Sequence, residues 1–232
     1  MQNFKCYIIR LEENKHSCTM AQECYEQAVK YGVQAEFFKA INGNEAEQHY
    51  AKLHIKKAGK FKKGRLGVLG CFLSHYYLWK QCVDENIPYM ILEHDGYIIR
   101  EIPDDILDMF DDVLKLDSLD PYSSNYNNQI EKENINSISV KKYVNPAPKY
   151  KTKVGLGTNY FKGAYSYIIK PYAAKKLIQY ISQFGHVPAD QQINEVIIKL
   201  QTTMPTVARL HPFYAIGNNI TSSSLTRNLK EL

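Results

Sequence analysis

The segment YMILEHDGYIIREI, residues 89 to 102, carries an apolar run straight into Glu93, His94 and Asp95. Burying a carboxylate costs several kcal/mol unless a partner or a metal compensates. The triplet is therefore expected at the edge of a strand, facing something. An acid-x-acid pair there offers hard oxygens to Mg²⁺ or Mn²⁺, and a cation so held can offset the charge of a diphosphate. Ordinary loop charge is the competing reading. Successive side chains on a strand point to opposite faces, so His94 is expected to turn away from both acids, as a core or supporting histidine.

Ser74 and His75 form a second candidate pair, inside a helical stretch. Helical neighbours project about 100° apart and no Gly-x-Ser-x-Gly elbow exists, which argues against a hydrolytic dyad. His75 reads equally as a hydrogen-bonded core histidine. Asp190, in VPADQQINEVIIKL, stands near a helix start, where aspartate is also a favoured cap. Neither GxxxxGK[ST] nor GxGxxG is present, and GLG at 155 to 157 reads as a turn.

The elements that must hold these residues alternate in type. FKCYIIRL predicts a first strand, ENKHSCTMAQECYEQAVKYG a helix stopping at Gly32, and AEFFKAING a second strand with a turn at Asn42 and Gly43. In GVLGCFLSHYYLWKQCVDEN, Leu69, Phe72, Leu73, Tyr76 and Trp79 recur at helical spacing before Asn86 and Pro88 break the pattern. PYMILEHD then returns to a strand, continuing an α/β alternation in which ligands gather at the carboxyl ends of strands. Residues 103–120 place Ile106, Leu107, Phe110, Val113 and Leu114 on one predicted helix face, with the acids as its wet side. Residues 121–150 are rich in Asn, Ser and Tyr and are read as an irregular segment. Ala164 to Ile169 predict a strand, Pro171 starts a helix, and Ile193, Val196, Ile197 and Leu200 supply an apolar face behind Asp190.

At 232 residues the chain can enclose the core of one α/β domain. No stretch approaches the roughly 20 apolar residues of a membrane span, and the N-terminal segment lacks a signal-peptide pattern; a cytoplasmic protein is expected. Five cysteines without a CxxC pair predict reduced thiols, neither a disulfide framework nor a structural zinc site. The net charge is only +5, but six of the ten residues from Lys56 to Arg65 are basic. That run reads as a solvated loop or as a contact for anionic headgroups or phosphates. Nothing accompanies it that marks a nucleic-acid partner.

Taken in order, YIIRLEEN, FFKAINGNE, LGCFLSHYYLWKQCVDENIPYMILEHD, GAYSYIIKPYAAKKLI and VPADQQIN resemble glycosyltransferase family 25, which includes lipooligosaccharide β-galactosyltransferases. The block from Gly70 to Asp95 is the most specific, and residues 121–150 with the extreme C-terminus match least. The resemblance implies a GT-A fold, with a Rossmann-like donor-nucleotide half at about 1–100 and an acceptor half at about 101–232 around one continuous, mostly parallel sheet. It implies inverting transfer of a hexose, typically galactose, from a UDP-sugar to a glycan acceptor such as lipooligosaccharide, with Mn²⁺ or Mg²⁺ bound.

Carried over by position, Glu93 and Asp95 are the ends of the acidic metal motif, with Asp95 the direct ligand. Ser74 and His75 fall beside the donor pocket, and Ser222 and Ser223 near the donor diphosphate. Asp190 falls on the acid of the family's Pro-x-Asp-like segment and is the candidate base for the acceptor proton that inversion requires, and His211 matches the late histidine that many GT-A enzymes, though not regularly this family, place on the metal. Two departures stand out. The family's central acid is His94 here, and its Gly-Glu-x-Gly-Cys reads Gly67, Val68, Leu69, Gly70, Cys71. They motivate an alternative: a protein of this fold that binds a nucleotide sugar or glycan without transfer. A lipid-linked acceptor would place the basic run against the inner face of the inner membrane.

Overall fold

The computed structural model describes residues 2–56, 66–117, 139–146, 156–203 and 206–209. The basic run beyond Lys56, His211, Ser222, Ser223 and most of the irregular segment lie outside them. The chain opens as a β-α-β unit: β1 (Lys5–Arg10), α1 (Lys15–Lys30) and β2 (Ala35–Lys39). Asn14 starts α1 by accepting the Ser17 N–H at 2.9 Å, and Gly32, at φ 73°, ends the connection where a side chain would be strained. After a short 3-10 turn come α2 (Ala46–Leu53), which the sequence pattern did not announce, and α3 (Leu66–Glu85). Asn86, in the left-handed region at φ 55°, closes α3 and feeds β3 (Tyr89–Glu93).

Two stretches depart from the expected helices. Of the stretch 103–120, the described residues 103–117 form a 3-10 turn at Ile106–Asp108 and then β5 (Val113–Lys115). Nor are all their acids on a wet face, since Asp112 and Asp117 are buried. Asp190 does lie near a helix start, but α5 (Ala189–Gln192) is a single turn. The chain then turns at Asn194, whose Oδ1 accepts the Val196 N–H at 3.0 Å, and enters β8 (Leu200–Thr203). The strand and helix expected around Pro171 are present as β7 (Ser166–Ile169) and α4 (Pro171–Phe184).

With β6 (Val140–Lys142), these strands make, among the described residues, one mixed seven-stranded sheet in the order β2-β1-β3-β7-β5-β8-β6. β2, β1, β3, β5 and β8 run in one direction, whereas β7 is antiparallel to both of its neighbours and β6 is antiparallel to β8. This mostly parallel, continuous α/β sheet is the architecture expected. β4 (Gly96–Ile98) and β9 (Val207–Arg209) form a small antiparallel pair beside it. One face of the large sheet packs on α3 and α4 through Phe72, Leu73, Trp79, Ile91, Tyr167 and Leu177. The other packs on α1 through Ala21, Cys24, Met90, Leu92 and Ile168. Among the described residues no helix is long and apolar enough to cross a membrane.

Candidate active site at the carboxyl edge of the sheet

Glu93 is the last residue of β3, so strand alternation ends there and His94 and Asp95 form a turn into β4. The expectation that His94 points away because it sits on a strand is corrected accordingly: no strand pleat orients it. His94 is 9% exposed and its Nε2 has no hydrogen-bond partner among the described residues. Asp95 is buried at 1% exposure. Its charge is felt by Cys24 and Tyr97 on the α1 side and by Cys71 on the α3 side, so it lies between the two layers.

The Glu93 side chain points to the α3 face. Its Oε1 is 3.3 Å from His75 Nε2 and 3.7 Å from Cys71 Sγ. Behind His75, Nδ1 meets the Tyr167 hydroxyl at 2.8 Å, and that hydroxyl accepts the Trp79 indole N–H at 2.9 Å. His75, Trp79 and Tyr167 are all fully buried. The core-histidine and site-histidine readings of His75 therefore converge, because the core bonds on one ring nitrogen orient the other towards the edge carboxylate. The side-chain hydrogen bonds of Glu93 use Oε1, leaving Oε2 of a partly exposed side chain for a further ligand.

Ser74, expected beside the donor pocket, serves this geometry from inside. Fully buried, its hydroxyl donates to Gly70 O at 2.8 Å and accepts the Ile41 N–H at 2.9 Å. It clips α3 to the loop after β2. The approach is close enough to need glycine on both sides: a Cβ on Gly70 would stand 2.4 Å from Ile41 O, and one on Gly43 2.3 Å from Leu66 O. Ser74→Ala should cost about 1–3 kcal/mol, because the Ile41 N–H loses its buried acceptor. Urea unfolding would show that loss, while calorimetric donor affinity should stay within about twofold, as expected of a hydroxyl that never reaches the surface.

Asp190 enters from α5, which leans on α3. Pro188 occupies the N-cap position and Asp190 sits inside the first turn, where its Oδ1 accepts the Gln191 N–H at 2.9 Å. Burial pushes its carboxyl up to about 6; the Gln191 and Gly163 amides and His75 oppose that rise, and the Glu93 charge adds to it. Asp190 and Glu93 thus share one electrostatic site although 97 residues separate them, by the difference of their numbers. Burial, with the Glu93 and Asp190 charges, also pushes the Cys71 thiol well above its ordinary range.

One further group at this edge was not anticipated. Asp117 follows β5, Tyr165 precedes β7, and the Tyr165 hydroxyl donates to Asp117 Oδ2. Lys115, fully buried in β5, donates to the same hydroxyl at 3.3 Å and lies 4.4 Å from the Tyr165 ring centroid. The signal was a lysine and an aspartate alternating with apolar residues in VLKLD, the period of a strand rather than of a helix.

A divalent cation can be tested against these groups. Two carboxylates two residues apart at a strand end, one with a spare oxygen, are a donor set of the right hardness for Mn²⁺ or Mg²⁺. Glu93 and Asp95 fit that role.

The sequence profile of "Glycosyltransferase family 25 (LPS biosynthesis protein)" matches residues 3–193. R655 of Acanthamoeba polyphaga mimivirus, described as a glycosyltransferase, is 29% identical over 97 residues, which are 41% of this chain and 29% of that protein. The lipooligosaccharide biosynthesis protein lic2B of Haemophilus influenzae is 39% identical over 41 residues, 18% of this chain and 15% of that protein. The matched stretches thus span under a third of the length of either relative. Among solved structures, mouse xyloside xylosyltransferase 1 in its apo form aligns with 83% of this chain and 81% of its own, at 9% identity and TM-score 0.39. A glycosyltransferase involved in glycosylating the major capsid of PBCV-1 aligns with 87% and 83%, at 10% identity and TM-score 0.37. With the profile covering the sheet edge from β1 through Asp190, the chain belongs to glycosyltransferase family 25.

Proposed function

We propose that this chain is an inverting hexosyltransferase, moving galactose in the first instance from UDP to a hydroxyl of a glycan acceptor of the lipooligosaccharide type. The arrangement that supports this reading is Asp190: a half-buried carboxyl pushed up to about 6, held by the Gln191 and Gly163 amides and within the field of Glu93. Inversion needs a base on the acceptor side, with a pKa close to the working pH, and a means of meeting the leaving diphosphate's charge on the other side. Asp190 accepts the acceptor's proton as its oxygen attacks the sugar carbon. Asp95 and Oε2 of Glu93 would hold Mn²⁺ or Mg²⁺, with His211 as a further ligand and Ser222 and Ser223 on the diphosphate. When bound, the cation supplies positive charge against that diphosphate. His75, fixed by Tyr167 and Trp79, keeps Glu93 in place. A lipid-linked acceptor would bring the run from Lys56 to Arg65 against anionic lipid at the cytoplasmic face of the inner membrane.

Nucleotide release from UDP-galactose, UDP-glucose and UDP-N-acetylglucosamine, with Mn²⁺ or with EDTA, tests this. Release is expected with UDP-galactose, to fall to background in EDTA, and to drop at least about 100-fold in Asp95→Ala, as when a main electrostatic contact to a leaving group is removed. Release that is indifferent to both would remove the metal reading. The second reading, binding without transfer, is favoured by His94 standing where the family has an acid. It predicts calorimetric binding of a UDP-sugar with no release even when acceptor is supplied.

A further inference from the structure

Cys71, His75 and Glu93 bring three kinds of ligand atom to one point, a thiol sulfur, a ring nitrogen and a carboxylate oxygen, all within 4.8 Å of one another. Tetrahedral zinc, with Zn–S about 2.3 Å and Zn–N and Zn–O about 2.0–2.2 Å, has an S···O edge of about 3.6 Å and an N···O edge of about 3.4 Å. The corresponding distances here are 3.7 Å and 3.3 Å. Two edges of the tetrahedron are therefore already drawn. Cys71 and His75 stand one helical turn apart on α3, at i and i+4, a spacing that puts both on one face.

The support behind His75 is of the kind that metal-bound histidines have. Its Nδ1 lies 2.8 Å from the Tyr167 hydroxyl, which the Trp79 N–H holds in turn. A tyrosine hydroxyl can donate to Nδ1 or accept from it. In the first arrangement Nε2 carries the proton and gives it to Glu93. In the second, Nδ1–H points at Tyr167 and the Nε2 lone pair faces the cluster. The same buried partner can thus meet either tautomer of His75, the Tyr167 hydroxyl hydrogen turning away from Nδ1 in the loaded one.

Access agrees with this. Cys71 is half-buried and the Glu93 side chain is 23% exposed, which leaves a route in. A thiolate and an imidazole select borderline or soft ions over the hard ions that suit a pair of carboxylates.

We propose that Cys71, His75 and Glu93 form a three-ligand site for a thiophilic divalent cation, Zn²⁺ being the natural occupant, with the fourth position open to water. Loading forms an S–Zn bond as the Cys71 S–H bond breaks, and that proton goes to buffer. His75 stays neutral, its proton now on Nδ1. One proton is released per ion.

The test uses the full chain stripped with chelator, titrated with Co²⁺ and then with Zn²⁺. Wild type should show a sulfur-to-cobalt charge-transfer band in the near ultraviolet, saturating at one ion per chain and erased by Zn²⁺, with one proton released in weak buffer. Cys71→Ser, nearly isosteric, should lose the band, whereas Asp95→Asn should keep it. Tyr167→Phe should weaken binding about 10–100-fold at unchanged stoichiometry, the usual effect of removing an outer partner. No band in wild type, or an equal band in Cys71→Ser, would overturn the proposal. So would Zn²⁺ binding lost in Asp95→Asn but kept in Cys71→Ser, which would place the ion on the acid pair. Because His75 is fully buried and its replacement can fail to fold, Cys71→Ser is the deciding variant.

Discussion

Asp190→Asn should abolish transfer and, above about pH 6, make the protein more stable. The two effects share one cause. A carboxyl whose ordinary value is 3.8 and which the fold holds at about 6 is penalised for being ionised at neutral pH. The stability it contributes is complete below its unfolded value and is lost as pH rises through about 6. Asparagine keeps an oxygen for the Gln191 and Gly163 amides and carries no charge. At pH 7.5 it should therefore unfold about 2–3 kcal/mol less readily than wild type, with the difference vanishing below about pH 4. Loss of a general base typically costs about 10²–10⁴ in rate, and wild-type kcat/KM should itself fall as pH drops through about 6. Thermal melts across that range together with turnover assays would check both. An unfolded variant would instead make Asp190 an anchor for α5, and a fully active one would put the base elsewhere.

Asp117→Ala should be among the most destabilising single changes at this edge. Asp117 and Lys115 are fully buried, and the Tyr165 hydroxyl touches both. Removing one member of a buried charged group costs about 3–5 kcal/mol, because the network around it loses a charged partner in a low dielectric. Replacing both with apolar residues of similar volume is often close to neutral. Denaturant unfolding of Asp117→Ala, Lys115→Met and the pair Asp117→Leu with Lys115→Met should thus give two large losses and one small one. Additive losses would mean that the two side chains do not sense each other through Tyr165.

Local signals announced much of this architecture. Gly32 marks the end of the first helical connection, the spacing from Leu69 to Trp79 marks α3, and Pro171 starts α4. The misread stretch, Ile106 to Leu114, fits a helical stripe because 106, 107, 110, 113 and 114 fall on one helix face. What makes it a strand is pairing with Ile169 on one side and Leu200 on the other, and no local window contains either partner. Ile193 to Leu200 misleads in the same way until Asn194 caps its own turn. At the site, Glu93, Asp95 and Asp190 were legible as candidates, and the fold sets Asp190 within the field of Glu93. The second oxygen of Glu93, the interior post of Ser74 and the triad of Lys115, Tyr165 and Asp117 were not, since each depends on which strands lie side by side.

The antiparallel placement of β7 between β3 and β5 also governs when the site can come into being. Its pairing partners, Met90 with Ile168 and Leu114 with Ile168, are 78 and 54 residues apart by their numbers. Until β7 arrives, β3 and β5 have nothing to join them, and Tyr167 is not there to hold His75. The middle of the sheet is thus a late, long-range closure of the kind that slows folding. On a ribosome, a chain released only as far as β5 would hold the acids of β3 without their support. Amide exchange pulsed during refolding should accordingly find β1, β2 and β3 protected before the strands around Tyr167.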